Sequence, residues 1–174
     1  LVAFFFGQSR GSASGGEVPD PVRLLFCNFT GKSRPMTTQE LAQLSKKVCK
    51  NTLMETLDIE FTEVGDDYLV ARMPVTPKVH QPDGVLHGGA TMALAESVGS
   101  LASYVFLDRK DVFVRGIEIS GNHLRSVRDG YVYAKATAIH KGRTTQLWEI
   151  KVTDQEGHLV SLIKLTNISL PNKK

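Results

Sequence analysis

The stretch HQPDGVLHGG, residues 80 to 89, sets a proline-glycine turn, two histidines and a glycine pair ahead of a long run of small and apolar residues, ATMALAESVGSLASYVF. Gly88 and Gly89 stand where the first turn of a helix would begin. No side chains crowd their N–H groups, and unpaired amides at a helix N-terminus favour negative charge. They suit a phosphate or a developing oxyanion. Eight residues on, Glu96 is the only charged residue between Gly88 and Leu107. A carboxylate combined with polarising donors is equipment for acyl chemistry: the donors draw charge onto a carbonyl oxygen, and the acid attacks the carbon or activates a water. The plainer alternative is that Glu96 merely faces solvent. A solvated helix face, however, normally carries several charges.

Spacing adds a constraint. Eight residues at a helical rise correspond to roughly 12 Å along the axis, so one carbonyl cannot touch both the Gly88 amide and the Glu96 carboxylate of the same helix. If both act on one carbon, the acid comes from a second copy of the helix, antiparallel across a two-fold axis. Gly88, Gly89, Ala90, Ala93 and Gly99 would permit that close approach. The chemistry therefore predicts a symmetric dimer with shared sites. Ser100, one turn beyond Glu96, is its neighbour on the helix surface.

The element carrying the acid is expected to run from about Gly88 to Phe106. At about 100° per residue, Gly89, Met92, Ala93, Glu96, Ser100 and Ser103 fall on one side. Leu94, Val98, Leu101 and Val105 fall on the other. Such a helix, apolar over most of its circumference, suits one wrapped by a sheet. The sheet is legible around it: LDIEFTEV and YLVARMPV before, then DVFVRGIEISGNHLRSV, YVYAKATAIH, TTQLWEIKVT and LVSLIKLTNISL after, with RDG, KGR and DQEG as turns. Short links favour antiparallel neighbours, so the expected fold is α+β, a curled antiparallel meander of five to six strands packed on one long central helix. Ahead of the strands, TTQELAQLSKKVCKN reads as a capped helix, with Thr37 or Thr38 as N-cap and Glu40 three residues beyond Thr37. Residues 1 to 35 lack periodicity and are rich in Gly, Ser and Pro. They read as a non-native or disordered leader, with residues 36 to 174 as the domain; a targeting segment is the rival reading.

Composition removes several function classes. At 174 residues, 41% hydrophobic and 22% charged, the chain is an ordinary globular domain with no apolar run of the roughly 20 residues that span a bilayer. Four of the 21 basic and two of the 18 acidic residues fall in the first 35, which leaves the remainder at net +1. That balance gives nucleic-acid binding little support. Cys27 and Cys49 form no disulfide framework and read as reduced thiols in a cytoplasmic protein. The five histidines show no metal-ligand spacing, so no metal is expected. Trp148, Tyr131 and Tyr133 fall on strand patterns and read as core or pocket wall. GQSRG, with Ser9 as would-be nucleophile, lacks the following helix that a nucleophile elbow needs and reads as chance.

With these residues in view, HQPDGVLHGGATMALAESVGS resembles the signature of hotdog-fold acyl-CoA thioesterases, in the bacterial branch of 4-hydroxybenzoyl-CoA, phenylacetate-pathway and 1,4-dihydroxy-2-naphthoyl-CoA enzymes. The likeness runs from about residue 55 to 169 and includes GDDYLVARMPV, GNHLRSVRDG and GRTTQLWEIKVTDQEGHL. It implies hydrolysis of an aromatic or medium-chain acyl-CoA by water, with no cofactor, in an assembly of dimers of dimers. It also implies roles: Gln81 on the thioester carbonyl, Gly88 as oxyanion donor, His87 beside the thioester, and Glu96 of a partner as nucleophile or base. Ser100 would position the acid or the water, and Ser97 and Met92 would line the acyl pocket. For the CoA phosphates the candidates are His123, Arg125 and Arg143, ahead of Arg128 and Lys141. The alternatives are a carrier-protein-directed proofreading thioesterase and a hotdog CoA-binding module without catalysis.

Overall fold

The computed structural model describes residues 36–107 and 112–171. The leader, with Ser9 and Cys27, lies outside them. Helix α1 (Thr38–Cys49) starts on the expected capping box: Thr37 Oγ1 accepts from the Glu40 N–H at 3.2 Å, and Glu40 accepts from the Thr37 N–H at 2.9 Å. A short helix α2 (Leu53–Thr56), which the pattern does not announce, follows at once. Strands β1 (Glu60–Val64) and β2 (Tyr68–Pro74) lead through a turn to the long helix α3 (Gly88–Phe106). Strands β3 (Val112–His123), β4 (Tyr131–Lys141), β5 (Thr145–Thr153) and β6 (Leu159–Pro171) complete the chain.

All six strands join one antiparallel sheet in the order β1-β2-β4-β5-β6-β3. The meander expectation is corrected at one place: β3 pairs with β6 at the far edge, not with its sequence neighbour β4. The sheet curls round α3, which touches β2, β3, β4, β5 and β6. Leu94, Ala95, Val98 and Ala102 on its inner face pack on Ala134, Ala136, Ile150, Ile163 and Leu165, all fully buried. A Cβ on Gly99 would stand 2.6 Å from Leu165 Cδ2. That glycine therefore serves the approach of helix to sheet, not the approach of a second helix.

Ser103, assigned by the helical wheel to the polar stripe, is instead fully buried. It accepts from Trp148 Nε1–H and from Asn167 Nδ2–H, both at 2.8 Å. The sheet curls far enough round the helix end to cover this position, and the tryptophan needs an acceptor there. The two sheet edges differ. Helix α1 packs beside β1, whereas β3 is exposed from Arg115 to Glu118 and again from Ser120 to His123. No helix of the described residues is long and apolar enough to cross a membrane.

Candidate active site

The segment before α3 is a small folded unit. Gln81 N–H donates to Val85 O at 2.8 Å and Gly84 N–H to Gln81 O at 2.9 Å, closing a turn in which Gly84 takes φ +75°. A left-handed residue is required there, and glycine takes that conformation without steric cost. His87 N–H then donates to Val79 O and Leu86 N–H to Val127 O, both at 2.8 Å, which fixes where α3 begins.

At the helix start the first-turn donors can be accounted for one by one. His87 is the N-cap, and its Nδ1 accepts from Gly89 N–H at 2.7 Å. Ala90 and Thr91 N–H both donate to His87 O. Gly88 N–H takes no partner among the described residues. Since Nδ1 accepts, the neutral His87 ring carries its proton on Nε2, on an exposed side chain. His87 thus has a cap role that sequence spacing did not reveal.

Gly88 opens into a cleft of about 300 Å³ that also takes in Gln81, Thr91, His123, Arg125 and Ser161. His123 lies over the glycine: a Cβ at Gly88 would meet His123 Nε2 at 2.7 Å, while His123 Nδ1 shares a 2.9 Å hydrogen bond with the buried Ser161 hydroxyl. His123 and Arg125 are both exposed, available to an anionic ligand at the mouth. Arg125 also borders a second, polar cleft with Arg128.

The acid lies elsewhere. Glu96, with Ser97 and Ser100, lines a separate and mainly apolar cleft of about 400 Å³. The carboxylate is exposed in the single chain, so the expectation of a buried acid is corrected: the curled sheet leaves this stripe of α3 uncovered. Ser97 Oγ donates to Ala93 O at 2.7 Å, which leaves its oxygen able only to accept. Met92 and Arg143 line neither cleft. Met92 packs on the core, its Sδ 3.2 Å from where a Gly121 Cβ would be, and Arg143 is exposed in the β4–β5 turn. Phe106 packs against Trp148 with ring centroids 5.9 Å apart, and Tyr104 lines the Glu96 cleft.

Comparison with known proteins decides the family. The profile of the thioesterase superfamily matches residues 83–161. The chain is 44% identical over 114 residues, 66% of its length, to the 1,4-dihydroxy-2-naphthoyl-CoA hydrolase of Escherichia coli K12, of which it covers 83%. It is 49% identical over 106 residues, 61% of its length, to the proofreading thioesterase EntH of Cronobacter turicensis, covering 77% of that protein. The crystal structure of a Haemophilus influenzae thioesterase superposes with a TM-score of 0.73 at 39% identity, over 81% of this chain and 95% of that one. The chain belongs to the thioesterase superfamily. Its curled six-stranded sheet round one helix is the hotdog fold, and it is a thioester hydrolase.

The two clefts divide most of the expected site residues. Gln81, Gly88, His123 and Arg125 share one; Glu96, Ser97 and Ser100 share the other; His87, Met92 and Arg143 line neither. Three ligand-type side chains lie together apart from both, Asp154, Glu156 and His158 at the β5–β6 turn, with ligand atoms within 4.8 Å of one another. There Asp154 already accepts from the His158 N–H at 2.8 Å and pairs with its ring at 3.1 Å, bonds that close the turn.

Proposed function

We propose that this thioesterase hydrolyses an acyl-CoA carrying an aromatic or medium-chain acyl group, 1,4-dihydroxy-2-naphthoyl-CoA among the candidates, at sites shared between two copies of the chain. The observation that carries the reading is the separation of the unpartnered Gly88 N–H and the Glu96 carboxylate into different clefts of one chain. The β3 edge, exposed over most of its length among the described residues, supports the second copy, because a sheet edge of this length is a template for pairing. Dimers then associate in pairs.

In this mechanism the Gly88 N–H donates to the thioester carbonyl oxygen and, with the helix dipole behind it, stabilises the charge that develops there. The Gln81 amide holds the same oxygen, and His87 Nε2–H lies beside it. Glu96 of the partner copy either attacks the carbonyl carbon or removes a proton from water as the water oxygen attacks, with Ser100 positioning it. The tetrahedral oxyanion collapses, the C–S bond breaks with its electron pair on sulfur, and the CoA thiolate takes up a proton. With Glu96 as nucleophile, water then cleaves the resulting anhydride; oxygen-18 entering Glu96 in a single turnover distinguishes that route. No step calls on a cofactor. Arg125 and His123, exposed at the Gly88 cleft, bind the CoA phosphates in this reading. The free buried Cys49 fits the reducing cytoplasm.

Glu96→Gln is expected to abolish turnover of acyl-CoA thioesters while binding stays near wild type by calorimetry. Unchanged turnover would remove the acid from the mechanism. The second reading, a carrier-directed proofreading enzyme, draws on the 49% identity to a protein named a proofreading thioesterase. Competition between acyl-CoA and the matching acyl-carrier protein separates the two.

A further inference from the structure

The cleft beside Glu96 has two walls. One is α3, through Ala93, Ser97 and Tyr104; the other is the corner between α1 and α2, through Val48, Leu53 and Met54. That corner is held by local side-chain bonds, among them the Thr52 cap of α2. Thr52 Oγ1 donates to Cys49 O at 2.6 Å and accepts from Met54 N–H at 3.2 Å, while the Glu55 carboxylate accepts from Asn51 N–H at 2.7 Å. Asn51 and Asp58, on either side of α2, take φ of +58° and +53°. Asn and Asp take left-handed backbone readily because their short polar side chains bond locally, so they suit the two ends of this corner. The bonded corner presents Leu53 with 60% of its surface exposed. A single exposed leucine is unremarkable. Here it is fixed on the rim of the cleft that holds the acid.

We propose that Leu53 and Met54 are the specificity-determining contacts for the acyl group, which lies between the α1–α2 corner and α3 with its carbonyl end at Glu96. The proposal rests on the reading of Glu96 as the reacting acid. An apolar cavity of roughly 150 Å³ suffices for benzene, so an apolar cleft of about 400 Å³ takes a one- or two-ring or medium-chain acyl group. The apolar side of that group covers Leu53 and completes its burial, so the corner discriminates by length and breadth of the acyl chain. A short acyl group reacting at Glu96 does not reach the rim.

The test compares the shortest and the longest acyl-CoA that the wild type hydrolyses, using Leu53→Ala, Leu53→Met and Glu96→Gln. Leu53→Ala is expected to lower kcat/KM for the long or aromatic substrate about tenfold, to leave the shortest within twofold, and to be rescued by Leu53→Met. Equal effects on both substrates, or none, would overturn the assignment. So would a changed oligomeric mass with uniform loss of activity, which would make the corner an interface between copies. Glu96→Gln separates the two readings: if it keeps turnover on either substrate, the catalytic reading has failed. If it is inactive on both while Leu53→Ala shows no length dependence, only the specificity assignment has failed.

Discussion

Glu96 lies against the backbone of Gly116, with Oε1 3.0 Å from where a Cβ on that residue would stand. The acid is on α3 and the glycine on β3, at a point where the register with β6 slips between Gly116 and Glu118. A bulge of this kind bends an edge strand locally. The missing side chain leaves the notch in which the carboxylate rests.

Gly116→Ala fills that notch. Gly116 is not among the left-handed glycines, so alanine fits the backbone and the fold is expected to be retained. The carboxylate must give by a few tenths of an ångström, a fraction of the roughly 1 Å misplacement that costs up to about a hundredfold in rate. We expect kcat to fall severalfold with an unchanged melting temperature. Equal kcat in the two proteins would show that the resting place of Glu96 is irrelevant to turnover.

Ser103 and Ser100 lie one turn apart on α3 and should fail in different ways. Ser103→Ala removes the acceptor of the buried Trp148 Nε1–H; Asn167 Nδ2 retains its 3.1 Å bond to Gly99 O. A buried donor left unsatisfied costs about 1–3 kcal/mol, which thermal denaturation would register as a fall of several degrees. Ser100→Ala, at the cleft, is expected to lower kcat and leave the melting temperature alone. The reverse pattern would mean that the two serines have been assigned to the wrong sides of the helix.

Much of this site was legible because its signals are local. Thr37 and Glu40 define a cap within four residues, and the helix from Gly88 to Phe106 carries its own start, length and apolar faces. Position of β3 was not legible. Its link to β4, residues 124–130, spans seven residues, and an extended chain of that length reaches roughly 23 Å. Crossing three strand spacings takes only about 14 Å, so a short link does not force adjacency. Nor does periodicity reveal which polar residues the curl will cover, which is why Ser103 was misplaced and Asn167 went unnoticed. The split of Gly88 and Glu96 into two clefts was foreseeable from helix rise alone.

Cys49 gives a prediction about pH. Burial pushes its thiol above the usual range; the hydrogen bond with Ser45 works in the opposite direction and is outweighed, and the charges of Glu55 and Glu60 add to the rise. A group whose pKa is higher folded than unfolded contributes its full stability below the unfolded value, about 8.5 for a cysteine. That contribution is lost as pH rises through the folded value. In a Cys27→Ser background, Cys49 should resist a thiol reagent at pH 8 until denaturant is added, and stability should decline above about pH 8.5. Reaction of the folded protein at the rate of a free thiol would refute this.

The shared site can be tested with two inactive variants. Gly88 is the first residue of α3, and His87 before it is extended at φ −71°, ψ 131°, a conformation that tolerates a following proline. Proline is favoured at the first helical position, so Gly88→Pro deletes the N–H that has no partner among the described residues while preserving the helix start; the exposed ring of His123 must swing aside. Loss of one oxyanion donor is expected to cost about 10²–10³ in kcat. Mixing this variant with Glu96→Gln under conditions that exchange subunits produces hybrids. In each hybrid one site combines an intact Gly88 N–H with an intact Glu96, and the other site lacks both. Random pairing makes half the dimers hybrid, so activity should return to about a quarter of wild type. If each chain builds its own site, mixing restores nothing, because no single chain holds both groups.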